Sequence, residues 1–243
     1  MTSPQKFVDA YLLPLGCVLS VTALIIIFNG GIGVGGSNHT GLVPVVRRML
    51  DPSYLPGDFN ISLRLYHHRV FAYLVAAFVA LLGEDRGLIV LQVAGFLTLG
   101  AALFYLCRSC GLSLIGYLAV GSFLAVNALW TGLGLEENNF VGNREIMPTT
   151  FAHAAILFGV GMLMRGRYRV TVLMAGVATA LHLQIGAIFT LILAPFYLAR
   201  WRKFGPKETG LLALCYLLPV TPALWHILRM IERGATHASF SLD

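Results

Sequence analysis

NHTGLVPVVRRMLDPSYLPGDFNISLRLYHHR, residues 38–69, is the longest run of this chain that cannot sit in lipid. It holds three of the seven histidines, four of the seventeen lysines and arginines, and two aspartates, Asp51 and Asp58. Long apolar runs flank it on both sides. A polar stretch of this size between such runs reads as a loop joining membrane helices, one that gathers ionisable groups at a bilayer surface. The implied fold is an all-α polytopic membrane protein with a long first outer loop carrying amphipathic juxtamembrane helices.

The composition points the same way. Of 243 residues, 57% are hydrophobic and 12% are charged, whereas a soluble domain carries about 25% charged residues. At about 20 apolar residues per spanning helix, six to eight spans fit. Apolar runs lie at 11–28, 61–82 or 70–82, 87–106, 112–129, 149–164, 170–199 and 209–228. The run 170–199 is long for one upright span. It predicts either a hairpin of two short helices with His182, Leu183 and Gln184 at its apex, or one tilted helix. The first run predicts a retained span: Lys6 is balanced by Asp9, and glycines follow it in place of a cleavage site. Residues 1–243 are expected to form a single transmembrane domain, either whole or the N-terminal portion of a longer protein.

Local signals punctuate these runs. Pro14 and Pro148 sit where a first helical turn tolerates proline. Gly31, Gly33 and Gly36 formally match GxGxxG, but a membrane helix precedes them instead of a strand, so they read as a hinge. Residues 40–50 predict an amphipathic helix, with Leu42, Val46 and Met49/Leu50 on one face and Arg47 and Arg48 off it. Such a helix lies in the interface or packs on the bundle. Asp51-Pro52 ends it. The following SYLPGD is turn chemistry, and two prolines hold Asp58 in place. The Cys107–Cys110 pair has CxxC spacing without the second pair or βαβ context of a zinc or redox site. The sequons at 38–40 and 60–62 matter only for a lumenal loop.

Net charge is +6. No basic stripe with interleaved aromatics accompanies it, so nucleic acid is not an expected partner; membrane lipid is. The basic clusters at 165–169 and 200–207 both read as cytoplasmic. That favours the hairpin and puts the 130–148 loop outside. If 38–69 is outside too, an even number of crossings separates the two loops. Three apolar segments intervene, so either one of them is re-entrant or half-length, or 38–69 is cytoplasmic.

Two constellations bear on chemistry. His153, His182 and His226 fall in apolar runs, where ionisable groups either bond a neighbouring helix or serve function. His153 and His182 as axial haem ligands is a reading, though not a favoured one, and the absence of CxxCH excludes covalent haem. The loop combines Asp51, Asp58, His39, His67 and His68 with Arg47, Arg48, Arg64 and Arg69. Carboxylates with histidines hold divalent ions. Arginines bind phosphate bidentately. A carboxylate also serves as general base toward a hydroxyl. Together these suit a lipid-linked phosphate at the bilayer surface. Asp51 reads as a helix stop; Asp58 is the stronger candidate for chemistry.

One membrane helix, then a long loop with juxtamembrane helices and an aspartate, then a helix opening with polar residues, resembles the GT-C integral membrane glycosyltransferases. The segment RGRYRVTVLMAGVATALHLQIGAIFTLILAPFYL resembles their middle helices, where a basic turn precedes a helix ending in His or Lys and a short helix returns. NHTGLVPVVRRMLDPSYLPGDF resembles the first loop of bacterial multipass proteins near this superfamily. The resemblance implies a bacterial inner-membrane protein handling a polyprenyl-phosphate-linked sugar at the outer face. It implies Asp58 as base or metal ligand and Arg47, Arg48, Arg64, Arg69 and His39 as substrate contacts. Glu136, Glu137, Asn138 and His182 would complete the cavity, and Asp58, His67 and His68 would hold Mg²⁺ or Mn²⁺. Where these enzymes place an aspartate close after the first span, this chain has Asn38-His39. The rival readings are a non-enzymatic membrane subunit with a protein partner, and a b-haem or quinone protein.

Overall fold

The structure, a computed structural model, describes residues 8–35, 39–58, 61, 68–127 and 145–238. Those residues contain helices and no strand. A π-helical turn, Val8–Leu12, leads into α1 (Leu13–Phe28), with Pro14 in its first turn. α2 (His39–Leu50) is the amphipathic helix of the first loop. α3 (Arg69–Leu82) and α4 (Glu84–Ser109) are separated by Gly83 alone. α5 (Leu114–Asn127), α6 (Pro148–Met164) and α7 (Tyr168–Leu181) follow. α8 (Leu183–Ala238) is broken at Gly205, whose φ of 66° and ψ of 170° turn the chain back on itself.

Four helical stretches are long and apolar enough to cross a bilayer: Ala10–Phe28, Glu84–Ser109, Leu183–Arg200 and Arg202–Arg229. Four shorter apolar helices accompany them. This is the make-up of an integral membrane protein. In sequence Gly83-Glu84-Asp85-Arg86-Gly87 reads as a tight loop, but in the fold that loop shrinks to Gly83. Residues 84–87 form the first turn of α4 instead, since Glu84 and Asp85 suit the positive end of a helix dipole.

Side-chain contacts sort the helix ends into two groups. At one end, Arg165 meets Ser109, Arg169 meets Glu208, and Tyr168 packs on Phe204. Arg108, Arg165, Arg167, Arg169, Arg200, Arg202, Lys203 and Lys207 therefore gather at one end, the arginine-rich end. At the other end the His39 N–H reaches Glu145, Arg47 pairs with Glu84, and His182 caps α7. Among the described residues the chain passes between these ends seven times: in α1, α4, α5, α6, α7 and each limb of α8.

α3 is the exception. Its first residues lie beside His182 and its last beside the Arg47–Glu84 pair, so it starts and finishes at the same end. At 14 residues it is about 21 Å long, short of a hydrocarbon core of about 30 Å. A half-length segment is one of the two arrangements that the charge bias allows, and α3 puts Arg47 and Glu145 at the same end of the bundle.

The core is assembled from small contacts. Val21, Ile25, Phe96, Leu99 and Tyr117 join α1, α4 and α5. Val46, Phe71, Val75, Leu88 and Leu91 seat α2 and α3 on α4. Gly176 lets the returning limb of α8 approach closely: a Cβ there would stand 2.6 Å from Pro219 Cγ and from the Tyr216 carbonyl. Interhelical hydrogen bonds add specificity, from Tyr117 Oη to the Gly100 carbonyl and from Thr171 Oγ1 to the Gly159 carbonyl, both at 3.1 Å.

Candidate functional site

The polar groups opposite the arginine-rich end form the candidate site. His39 opens α2 and is buried, 2% exposed. Its Nδ1 accepts the Gly35 N–H at 2.9 Å, and its own backbone N–H donates to Glu145 Oε2 at 3.3 Å. With Nδ1 accepting, the neutral ring carries its proton on Nε2. That Nε2 is buried and has no hydrogen-bond partner among the described residues. Burial holds the His39 pKa below its usual value, against the opposing pull of the Glu145 and Glu84 charges.

Both loop arginines are committed to the protein. Arg47 makes a two-pronged bond to Glu84, Nε to Oε2 at 2.7 Å and Nη2 to Oε1 at 2.8 Å. That bond raises its already high pKa further. Arg48 donates to the Tyr54 carbonyl at 2.7 Å. Together they strap α2 to the start of α4 and to the 51–58 turn. Asp51 closes that turn by accepting from the Ser53 N–H and hydroxyl, which lowers its pKa. It is the helix stop that Asp-Pro predicts. Asp58 is half-buried, and its Oδ1 accepts the Ile61 N–H at 2.8 Å. The expectation that Asp58 is held in place agrees with this geometry.

The loop's far end meets the hairpin apex. His182 leaves the helical region with φ −144° and ψ 101°, which breaks the run between α7 and α8. The His68 ring lies against it, centroids 4.6 Å apart. His68 itself adopts a left-handed backbone, φ 49° and ψ 34°. For a non-glycine residue this costs of order 1–3 kcal/mol, and such strain concentrates at functional sites. One residue on, the Arg69 guanidinium lies 5.0 Å from the Tyr73 ring centroid and Nη2 donates to Tyr73 Oη at 3.2 Å. The Tyr73 ring faces His226 at 6.1 Å. Five residues from three distant parts of the chain thus converge: His68, Arg69, Tyr73, His182 and His226.

The tertiary structure therefore brings His68 and His182 together, with Arg69 next in the chain. It assigns Arg47 and Arg48 to strapping contacts and His39 to an interior position. Arg64, His67, Glu136, Glu137 and Asn138 lie outside the described residues. Among the described residues no three His, Cys, Asp or Glu side chains gather as a metal-ligand group. Sequence reasoning passed over Tyr73 and Glu84. The signal for Tyr73 was its i+4 spacing from Arg69 on one helix face; Glu84 had none, since its partner is distant in the chain. No protein-family model matches this chain, and neither a curated protein nor a solved structure is detectably similar to it.

Proposed function

We propose that this chain is a GT-C-like membrane protein that handles a polyprenyl-phosphate-linked sugar at the end carrying His39 and His182. The observation that carries the reading is the meeting of the first loop with the hairpin apex, His68 against His182 at 4.6 Å with Arg69 adjacent. Cationic and N–H-donating side chains converge there beside a long apolar surface, which is what a lipid phosphate needs. The basic residues gathered at the opposite end support a cytoplasmic placement of that end in an inner membrane, and with it a site that faces outward. Six to eight membrane crossings fit this arrangement, with α3 as a half-length insertion.

In this reading Arg69 and His182 bind the phosphate, while Arg47 and Arg48 hold the loop that presents Asp58. Asp58 takes the proton of an acceptor hydroxyl as its oxygen bonds to the anomeric carbon. The sugar–phosphate bond breaks, and polyprenyl phosphate departs with that electron pair, its charge met by Arg69 and His182. Glu136, Glu137, Asn138, Arg64 and His39 are the further substrate contacts to test in this reading, and Asp58, His67 and His68 would be the ligands if Mg²⁺ or Mn²⁺ is bound.

The test is thermal stability in detergent with polyprenyl phosphate, with and without Mg²⁺ or Mn²⁺, against the uncharged polyprenol. A ligand at 100 times its dissociation constant adds about 2.7 kcal/mol. Polyprenyl phosphate should raise the melting temperature, and an Arg69→Gln/His182→Gln variant should lose that rise. An equal rise with polyprenol, or none with either, overturns the reading. Asp58→Asn should then abolish sugar transfer while keeping the lipid-phosphate shift; retained transfer removes Asp58 from the chemistry.

One observation favours a second reading, a subunit of a larger complex. Only 11% of the apolar window in Arg202–Arg229 is buried, against 56% in Glu84–Ser109. So bare a helix is faced by lipid or by a partner's helix. A stoichiometric partner retained in mild detergent would support the subunit reading.

A further inference from the structure

The arginine-rich end carries a polar feature independent of the sugar reading. A cleft of about 420 Å³ opens there between α1, α4, α5 and α6. Pro14, Phe104, Tyr105 and Leu114 form its apolar walls, and Arg108 and Arg165 stand in its lining. Both guanidiniums are set in place by the fold. Arg165 Nε donates to Ser109 Oγ at 2.9 Å, and its guanidinium lies 4.4 Å from the Tyr105 ring centroid. Arg108 Nη1 donates to the Leu112 carbonyl at 2.7 Å.

Each of these bonds uses one N–H of the five a guanidinium offers. Among the described residues neither arginine pairs with a carboxylate, whereas Arg169 at the same end is neutralised by Glu208. Both side chains are exposed and neither has a described carboxylate partner, so an anion entering the cleft meets guanidinium N–H groups that these two bonds leave over. The walls add a second requirement, because Phe104 and Pro14 belong to helices long enough to cross a bilayer. A ligand with a phosphate head and an apolar tail meets both.

We propose that Arg108 and Arg165 bind the phosphate of an anionic phospholipid headgroup, with an acyl chain lying along Pro14, Phe104 and Leu114. Basic pockets between membrane helices on the cytoplasmic side are suited to such headgroups. Arginines also complement the negative ends of helices, and Arg108 and Arg165 do sit at the C-terminal ends of α4 and α6. That role alone gives no lipid selectivity, which is what separates the two.

The experiment is native mass spectrometry of the detergent-solubilised protein supplemented with equal phosphatidylglycerol and phosphatidylcholine. Wild type should retain phosphatidylglycerol at least tenfold over phosphatidylcholine. An Arg108→Gln/Arg165→Gln variant should lose that preference, and Arg167→Gln, changed at an equally exposed neighbour that does not line the cleft, should keep it. Equal retention of the two lipids by wild type overturns the proposal and needs no variant, so it decides the matter even if the double substitution impairs folding. Phosphatidylglycerol selectivity that survives in the double variant also overturns it. A further arm adds inorganic phosphate: displacement of the lipid at millimolar phosphate reassigns the cleft to a soluble phosphate and overturns the lipid assignment.

Discussion

His39 shows how one side chain changes meaning once it is placed. In the chain it is one of three loop histidines and reads as a substrate contact. In the fold it is 2% exposed, with Nδ1 satisfied by Gly35 and Nε2 unsatisfied among the described residues. An unpaired buried donor costs about 1–3 kcal/mol, so the position asks for an oxygen from water or ligand. Burial disfavours its charged form, so its pKa is lower folded than unfolded. A histidine shifted this way contributes stability that is fully present above its unfolded pKa of about 6.5. That stability is lost as pH falls below this value and levels off beneath the folded pKa. The melting temperature in detergent should therefore drop as pH is taken from 7 downward through 6, and His39→Gln should flatten that drop. A wild type with no decline over this window would show that burial does not set the His39 charge. Asp58 is the opposite case: the two prolines before it, Pro52 and Pro56, announced a held carboxylate, and the Ile61 N–H provides the anchor.

At the scale of elements, periodicity and turn chemistry located most helices. Leu42, Val46 and Met49 announced α2, and they pack in the cluster with Phe71 and Val75. The basic turn before Tyr168 and the excess length of 170–199 announced the hairpin that breaks at His182. The reversal after that hairpin, between the two limbs of α8, depends on one residue. Gly205 combines φ 66° with ψ 170°, a region that only glycine enters without strain. Gly205→Ala should lower stability by about 1–3 kcal/mol, readable as a drop in melting temperature or in denaturant midpoint. Gly210→Ala is the control, since that helical position has nothing within 4 Å of an added Cβ. Equal effects of the two would show that Gly205 is not the strained hinge. The 83–87 stretch went the other way: its glycines and charges suggested a loop, and helix α4 absorbed all but Gly83 because acidic residues suit its N-terminus.

For the molecule as a whole, seven passes and one half-length insertion set which loops share a side. Cys110, the one exposed cysteine of the four, lies at the arginine-rich end, and exposed Ser53 lies at the opposite end. A membrane-impermeant maleimide should label Cys110 in inverted vesicles only. A Ser53→Cys variant should gain a second label in right-side-out vesicles only. Both sites labelled from one side would overturn the arrangement and, with it, the outward-facing site. The charge bias had left two arrangements open: one of three apolar segments fails to cross, or the 38–69 loop is cytoplasmic. It had no means to name which one.

What the sequence by itself determined is the solvent and the elements. Hydropathy and charge are sums over neighbouring residues, so a chain that is 57% hydrophobic with basic clusters between apolar runs declares a helical membrane protein with a sided charge pattern. Only the tertiary structure decided that α3 turns back, that His68 meets His182, and that Arg108 and Arg165 share a cleft. These juxtapositions arise from packing between segments far apart in the chain, where close approach at residues such as Gly176 and a single reversal at Gly205 set the geometry. No local pattern encodes which distant surfaces will fit.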